Sequence, residues 1–339
     1  MSKNIIYLCD SEKKPSGGVK VIYQQSNFID SLKNYNSFVT PIKKKFSSKL
    51  ITSLKKKIRF ENQLNIGWHF KDITVKKNFK SPWFNHRIRF KNTLKFKETE
   101  DFVILPEIFA HFAEDLLIKD NISYAIFVQN HFSIFSSSDK KKTLVAYEKA
   151  KFIISNSSIV TKEIKKKFPN LKKKIFKIII SVNEKNFNLS KSKKNIISYM
   201  PRKKIKQSKI IIDSLKKKLS KDWEFVKVDN AKENEVGKIF SKSKIFLSFS
   251  HNEGLGLPPI EAALTGNKVI GFSGEGGDEY WRKPIFSEAG KKDDFLAEII
   301  KFLRQKNFFK ISKNQRNFLR KQYSKIGERK SILRFLKFV

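Results

Sequence analysis

The sequence predicts an α/β protein built from two parallel-sheet domains. Short apolar runs rich in β-branched residues alternate with helical patterns along most of the chain, which is typical of βαβ units. The length of 339 residues suits two domains of ordinary size, and a composition that is 40% hydrophobic, with 32 Phe, can form two cores. A polar stretch rich in Lys, Asn and Ser, 181–194, is the expected boundary. We therefore expect an N-terminal domain over 1–185, a C-terminal domain over 186–312 and a basic C-terminal helix over 313–339.

The first half opens with a buried-type strand, a loop that ends in Gly17-Gly18, and a helix. Regular alternation of strands and helices resumes at Asp101, and Asn156-Ser157-Ser158 supplies an N-cap for one of the later helices. Predicted strands of this half lie at 4–9, 37–40, 102–105, 124–128, 152–155 and 175–180, and predicted helices at 19–32, 106–118, 143–150 and 158–168.

The second half continues the same alternation. It begins with a strand that is followed by a cluster of basic residues, and it ends in a basic helical segment from Asn314 onward. Two more strands and a short helix form the central stretch described below. The other predicted elements are strands at 195–199 and 223–228 and helices at 209–219, 233–241 and 295–303.

The most informative stretch lies between Ser243 and Trp281. Pro258 and Pro259 mark the start of its helix, because proline is tolerated in the first helical turn, and Gly266 is the expected residue after the helix end. The stretch therefore has the order strand, glycine loop, helix, strand, glycine loop, at 245–249, 251–257, 260–265, 268–272 and 273–277.

This stretch carries the residues that point to chemistry. A glycine loop that leads into a helix N-terminus directs backbone N–H groups at one point, which suits a phosphate or another anion. Gly254 and Gly256 allow a ligand to approach the backbone closely, because they lack a Cβ. Glu253 and Glu261 flank the same point, and a carboxylate there can accept hydrogen bonds from sugar or ribose hydroxyls. On spacing alone, a purely structural interpretation explains the pattern equally well. In that interpretation Glu253 is solvated, and Glu261 only interacts favourably with the helix dipole in the first turn.

The run HNEGLGLPPIEAALTGNKVI closely resembles the donor-site signature of the retaining family 4 glycosyltransferases, E-G-[FL]-G-L-P-x-x-E-A-x-x-x-G. The match includes both glutamates, both loop glycines, a proline and the trailing glycine. The resemblance implies the GT-B fold, with two Rossmann-like domains facing across a cleft, and catalysis without a metal or another cofactor. It places Glu253 beside the donor sugar and Glu261 on the nucleotide ribose, with the loop residues Gly254, Leu255, Gly256 and Leu257 beside the donor.

Three further positions follow from the resemblance. Family members carry a Gly-Gly loop after the first strand, facing the donor phosphates, and Gly17 and Gly18 match it. Many have a His at a strand end near the donor sugar; here the string VQNHF leaves both Asn130 and His131 open, and a purely structural His fits equally well. An Arg and a Lys normally hold the donor diphosphate after the first strand of the second domain. Arg202 matches the Arg, and Lys206 or Lys204 the Lys, although the usual preceding Gly is missing and a surface cluster remains an alternative.

The composition sets bounds on the alternatives. The chain has 72 Lys+Arg against 32 Asp+Glu, a net charge of +40, which attracts polyanions but also fits a bias toward Lys, Asn, Ile and Phe. Residues 41–98 hold 17 Lys and Arg with interleaved aromatic residues, a pattern that suits an anionic membrane or a charged glycan acceptor as well as a solvated insertion. A single Cys, Cys9, excludes an intrachain disulfide. The N-terminal apolar run is too short for a signal peptide, so we expect a cytoplasmic protein with peripheral contact to the inner membrane face as an option.

The resemblance implies an enzyme that moves a sugar from a nucleotide-diphosphate donor to a glycan or glycolipid hydroxyl with retention, a hexosyltransferase of cell-surface polysaccharide or lipopolysaccharide synthesis. No Asp-x-Asp occurs in the sequence, which argues against the metal-dependent class. His69 and His86 lack metal-site spacing. The alternatives are a basic protein that binds nucleic acid or membrane without catalysis, and an inactive GT-B scaffold. The ordered E-x7-E loop argues against the first, and the two glutamates argue against the second.

Overall fold

The computed structural model describes residues 2–11, 16–46, 70–77, 79, 87–137, 139–171, 175–201 and 203–339. They divide into two compact units, the first formed by Met1–Ile178 with Arg329–Val339 and the second by Ile179–Glu328. Each unit has one largely parallel sheet flanked by helices, so the predicted α/β class with two Rossmann-like domains is confirmed.

In unit 1 the strand order is β3-β2-β1-β4-β5-β6-β7, and every neighbouring pair is parallel except β2 and β3. The central strand β4, with the sequence DFVILP, is buried at every position, as expected for a parallel strand covered on both faces. The strands are β1 Lys3–Asp10, β2 Tyr35–Phe46, β3 Phe70–Val75, β4 Asp101–Pro106, β5 Tyr124–Val128, β6 Phe152–Ser155 and β7 Ile175–Lys177.

The helices of unit 1 are α1 Gly17–Asp30, α2 Lys140–Lys149 and α3 Ser158–Lys167. The predicted cap of α3 is confirmed, because the Ser157 hydroxyl accepts a hydrogen bond from the Val160 N–H at 3.1 Å. The single helix predicted over 106–118 is wrong in pitch: Glu107–Phe112 is a 3₁₀ helix and Glu114–Ile118 a π-helical turn. The change of pitch accompanies the burial of Phe109, Ala110, Ala113 and Leu117.

The segment predicted as an insertion, 41–98, is partly sheet. β2 continues to Phe46, and β3 pairs with it in antiparallel orientation, with Lys45 3.3 Å from Asp72 across the two strands. Lysines are tolerated here because β3 is the last strand in the order of the sheet. Phe79 is buried, and Phe90 packs edge-on against Tyr23 at 6.4 Å between ring centroids, so these two aromatic rings serve packing. Several residues of the basic and aromatic pattern lie outside the described residues: Phe60, Trp68, His69, Trp83, Phe84 and His86.

Unit 2 has the strand order β12-β11-β10-β8-β9, all parallel. Its strands are β8 Lys194–Met200, β9 Glu224–Lys227, β10 Ser243–Phe249, β11 Lys268–Phe272 and β12 Phe286–Glu288. Its helices are α4 Ile205–Lys218, α5 Glu233–Lys242, α6 Leu257–Leu264, α7 Lys292–Leu303, α8 Phe308–Ile311 and α9 Lys313–Gln322.

The last helix, α10 Lys325–Leu336, begins in unit 2, and its residues from Arg329 onward belong to unit 1. Within unit 1 the Phe335 ring packs against Phe102 and Phe176, at 6.0 and 5.3 Å between ring centroids. The Tyr35 hydroxyl donates a hydrogen bond to the Leu336 carbonyl at 3.0 Å. The end of the chain is thus part of the core of unit 1. Within the described part of the chain, no helix combines the length and the apolar character that a membrane span requires.

Candidate functional site

The strand order of unit 2 places two loops next to each other. After β8 the chain passes to β9 on one side and then to β10 on the other, so the loops that follow β8 and β10 open at a topological switch point. Ligands of open parallel sheets bind beyond the carboxyl ends of the strands at such a point. The basic cluster after β8 and the glycine loop after β10 therefore share the place where this architecture binds ligands.

The loop after β10 enters α6 through a left-handed residue. Gly256 has φ +79° and is the N-cap of α6, and Asn252 also has a positive φ of 49°. Pro258 and Pro259 follow in the first turn, as predicted. Because both lack an N–H, only Leu257 and Ile260 retain one among the four N-terminal positions of the helix. An anion at this helix end therefore depends on other donors more than the sequence pattern implies.

Because α6 begins at Leu257, Glu261 lies in its second turn. The placement of Glu261 in the first turn is wrong, since the left-handed Gly256 lets the helix start three residues earlier than predicted. Glu261 is only 6% exposed on a helix whose other residues are mostly buried and apolar. A buried carboxylate requires hydrogen bonds or a charged partner, so this position is not that of a solvated surface Glu.

Glu253 forms the central ion pair of the loop. Its Oε1 lies 2.9 Å from the Nζ of Lys203, which also donates a hydrogen bond to the Asn252 carbonyl at 3.2 Å. Both charged side chains are about a quarter exposed, at 24% and 28%, so a ligand can reach them. The ion pair joins the loop after β8 to the loop after β10.

The second glycine loop packs directly on the first. The Glu253 N–H donates to the Gly274 carbonyl at 2.9 Å, and Glu253 and Glu275 form an isolated parallel bridge. A Cβ on Gly276 would lie 2.4 Å from the Glu253 carbonyl oxygen and 2.7 Å from the Leu255 nitrogen. Gly254, Leu255 and Gly256 are buried as a result. The two glycine loops therefore border each other beside Glu253.

Tyr280 stabilises the start of α6 through a hydrogen bond. Its ring is buried and its hydroxyl donates a hydrogen bond to the Gly256 carbonyl at 2.7 Å. Burial raises the pKa of this hydroxyl well above its ordinary value, and the carboxylates of Glu253 and Glu279 add to the effect. Tyr280 therefore stays a neutral donor at every physiological pH.

Replacing Tyr280 by Phe should leave the Gly256 carbonyl buried without this donor. We expect the free energy of unfolding to fall by about 1–3 kcal/mol, the usual cost of an unpaired buried polar group. Urea denaturation of the variant measures the loss. Tyr199→Phe, on β8 of the same unit and without a hydrogen bond from its hydroxyl within the described residues, is the matched control. Equal stabilities of the two variants would contradict the role given to Tyr280.

The other basic residues after β8 differ in position. Arg202 lies outside the described residues, so its predicted role has no geometry here. Lys206 is exposed in the first turn of α4, and the Nζ of Lys204 lies 4.5 Å above the centre of the Phe272 ring. Lys203 is the described lysine of this cluster that contacts Glu253. The sequence offered no signal for it, because neighbouring basic residues in a lysine-rich chain are indistinguishable by pattern.

His251 adds a neutral polar group to the loop. Burial lowers its pKa, with Lys204 and Lys203 adding to the effect, so the imidazole is uncharged near neutral pH. Its Nε2 is buried without a hydrogen-bond partner in the described part of the chain. His251 was not among the predicted site residues, although it lies two residues before Glu253, the first residue of the matched signature.

In unit 1 the predicted residues gather at the carboxyl edge of the sheet. Gly17 and Gly18 form the first residues of α1. The strands β1 to β3 follow one another on one side of the sheet and β4 to β7 on the other, so the switch point of unit 1 lies between β1 and β4. A Cβ on Gly18 would lie 3.0 Å from Oε1 of Gln129, the residue after β5. The structure therefore brings Gly18 to the same strand end as Asn130 and His131.

Asn130 and His131 have different environments. The Asn130 side chain accepts a hydrogen bond from the Phe132 N–H at 3.1 Å and caps a short 3₁₀ helix, His131–Ser133. His131 is only 4% exposed, and burial lowers its pKa, so it is a neutral imidazole. Among the described residues, its Nδ1 has no hydrogen-bond partner. Both residues remain candidates for the role at the strand end.

The described ranges contain no group of three or more His, Cys, Asp and Glu side chains placed to hold a metal ion.

Comparison with known proteins gives one short sequence match. No protein-family model matches the sequence. A 50-residue segment is 46% identical to an α-1,6-glucosyltransferase of Actinobacillus pleuropneumoniae serotype 7 (strain AP76). This segment spans 15% of the present chain and 15% of that enzyme, so the likeness is local.

Solved structures resemble the whole chain. HepE of Anabaena, solved in complex with UDP, is 12% identical with a TM-score of 0.65 over 99% of this chain and 100% of its own. Sucrose-phosphate synthase from Thermosynechococcus elongatus is 10% identical with a TM-score of 0.64 over 99% and 98%. S. aureus TarM, solved as a variant with fondaparinux, α-GlcNAc-glycerol and UDP, is 14% identical with a TM-score of 0.64 over 99% of each chain. The chain therefore has the GT-B fold, as predicted.

Proposed function

We propose that this chain is a glycosyltransferase that moves a sugar from a nucleotide-diphosphate donor to a hydroxyl acceptor. The observation that carries the proposal is the paired glycine loops at the switch point of unit 2, where Glu253 pairs with Lys203 and the first loop leads into the helix that bears the buried Glu261. A fold match alone would leave the function open, because one fold serves many functions. The local likeness to a glucosyltransferase and the UDP complexes of HepE and TarM support the same conclusion.

In this proposal the donor diphosphate is neutralised by cations rather than by a metal. Lys203 takes this role from its place beside Glu253, together with Arg202, and Lys206 adds long-range attraction from its exposed position. The Leu257 N–H at the start of α6 contributes one fixed donor. Because the two prolines remove the neighbouring N–H groups, Lys203 and Arg202 carry most of the stabilisation of the leaving group.

The two carboxylates take different parts of the donor. Glu261, buried in α6, is proposed to accept hydrogen bonds from the ribose hydroxyls, and Glu253, more exposed, orients the transferred sugar. Retention of the anomeric configuration and a hexosyl donor follow from the family resemblance of the loop. UDP-glucose is the donor we would test first, since HepE has also been solved with UDP and glucose.

Unit 1 is proposed to select the acceptor, a glycan or glycolipid of the cell surface. Gly17, Gly18 and His131 keep the donor-side roles that the family resemblance implies, the glycines toward the donor phosphates and His131 near the donor sugar. The high positive charge favours an acidic acceptor or contact with an anionic membrane surface. Binding to a specific nucleic acid sequence is not part of the proposal.

Calorimetric titration of the purified protein with UDP, GDP, ADP and CMP, without metal and at two salt concentrations, tests the donor site. We expect one diphosphate to bind tightly, with little salt dependence beyond that of its own charge, and to lose at least tenfold in affinity in Glu261→Ala. Glu224→Ala removes the same charge from an exposed position on β9 and should bind like the wild type. Equal, salt-sensitive binding of all four ligands, unchanged in Glu261→Ala, would contradict the proposal and favour a basic binding protein.

A further inference from the structure

A buried carboxylate in unit 1 has no part in the function proposed above. Glu107 follows β4 directly and is 6% exposed. Its Oε1 accepts a hydrogen bond from the Asn130 N–H at 2.9 Å, and its Oε2 accepts one from the Gln129 N–H at 3.2 Å. Two consecutive backbone donors are thus held by the two oxygens of one carboxylate, without a cation among the groups that set its pKa.

The segment held in this way, Gln129–His131, joins three other parts of the unit. The Gln129 side chain lies against Gly18 at the start of α1, and the Gln129 carbonyl accepts a hydrogen bond from the Asn156 side chain after β6 at 2.8 Å. His131 completes the segment as a buried, neutral imidazole. The position of this one segment therefore fixes the relation between the strand ends and the first residues of α1.

We propose that Glu107 is a positioning residue, which holds Gln129–His131 in place through both carboxylate oxygens and releases this segment when it takes up a proton. A carboxylate is required because each oxygen faces an N–H donor. Replacement by an amide turns one of the two acceptors into a donor that opposes the backbone N–H, and protonation turns one carboxylate oxygen into a hydroxyl, which is a weaker acceptor and carries a donor of its own. An effect of this release on sugar transfer, through His131, rests on the proposed function, whereas the positioning of the segment by Glu107 does not.

The electrostatic surroundings place this change in the physiological range. Burial raises the pKa of Glu107 from 4.5 to about 7, although its backbone hydrogen bonds act in the opposite direction. Tyr147 of α2 faces the carboxylate, and its own pKa is raised by burial and by Glu107, so it remains neutral. The neighbouring histidines respond to other groups: burial lowers the pKa of His111, with Asp139 opposing, and that of His131, with Glu163 opposing.

The direction of the pH effect follows from the raised pKa. Above pH 7 the carboxylate is ionised and both hydrogen bonds form; as the pH falls through about 7 it binds a proton and the segment loosens. The pKa in the folded protein exceeds that in the unfolded chain. The contribution of Glu107 to stability therefore falls as the pH rises from 4.5 to about 7, and it stays low above that pH. A carboxylate that lowers stability at neutral pH is consistent with a role in geometry.

Amide hydrogen exchange and backbone NMR shifts of Gln129 and Asn130, recorded from pH 5.5 to 8.5 without any substrate, test the proposal. In the wild type we expect both amide shifts to titrate with a midpoint near 7, and their protection, corrected for the intrinsic exchange rate, to fall about 10- to 100-fold toward acid pH. In Glu107→Gln the shifts should be flat and the protection low at every pH. Glu148→Gln, an exposed position on α2, is the matched control and should behave like the wild type.

The wild-type titration alone decides the matter if Glu107→Gln fails to fold. A midpoint near 4.5, or protection of these two amides that does not change between pH 5.5 and 8.5, would overturn the proposal. Equal protection in the wild type and a folded Glu107→Gln would do the same. Because no nucleotide or sugar is used, these outcomes are independent of whether the donor site binds UDP.

Discussion

Replacing Glu253 by Gln is expected to lower kcat about 100- to 1,000-fold while UDP binding is largely kept. This is the size of effect seen when one preorganised electrostatic contact with the reacting group is removed. Gln keeps the shape of the side chain but loses the charge that pairs with Lys203 at 2.9 Å and that we propose orients the donor sugar. Turnover of UDP-glucose, followed by UDP release, and calorimetric titration with UDP measure the two quantities separately.

Glu275→Gln is the matched control, because Glu275 is exposed and lies directly opposite Glu253 in the bridge between the two loops. It should change kcat little. Lys203→Gln is expected to weaken UDP binding at least tenfold, whereas in Glu253→Gln the freed Lys203 should bind the diphosphate at least as well as before. Unchanged turnover in Glu253→Gln would show that Glu253 has no role in the reaction, and an intact UDP affinity in Lys203→Gln would remove the cation from the proposed site.

The sequence predicted the parts of the site that are encoded by local pattern. Gly256 and the two prolines define the start of α6 through φ restrictions and missing N–H groups, so a short motif was enough to place Glu253 in the loop after β10 and Glu261 in the helix that follows, although one turn too early. The alternation of strands and helices predicted both sheets for a similar reason, because buried parallel strands such as β4 are continuous apolar runs.

The contacts between distant segments could not be read in this way. Lys203 reaches Glu253 across 50 positions of the chain, and in a row of basic residues no local feature distinguishes it from Lys204. Glu107 falls in the first turn of the helix predicted over 106–118, where an acidic residue is common. Its real partners are the N–H groups of residues 22 and 23 positions later in the chain. Pattern analysis detects what the backbone requires locally, whereas these pairs depend on which strand ends meet in the folded sheet.

Gly276→Ala is expected to disrupt the site more severely than a change of any charged residue in it. The added Cβ would lie 2.4 Å from the Glu253 carbonyl oxygen, 2.6 Å from the Gly254 carbonyl carbon and 2.7 Å from the Leu255 nitrogen. All three contacts are with backbone atoms, so no side chain can rotate away and the two loops must separate. We expect a loss of stability at the upper end of the about 1–3 kcal/mol typical of overpacking, or above it, together with loss of UDP binding.

Urea denaturation and UDP calorimetry measure both effects, and Gly290→Ala is the control, since its new Cβ would meet only the Asp294 carboxylate, at 3.8 Å. The comparison separates two explanations of the glycine-rich loops. If the glycines only allow a ligand to approach the backbone, Gly276→Ala should weaken UDP binding and leave stability at the Gly290→Ala level. If Gly276 instead holds the second loop against the first, as the distances indicate, stability and binding should fall together, because the position of Glu253 depends on that contact.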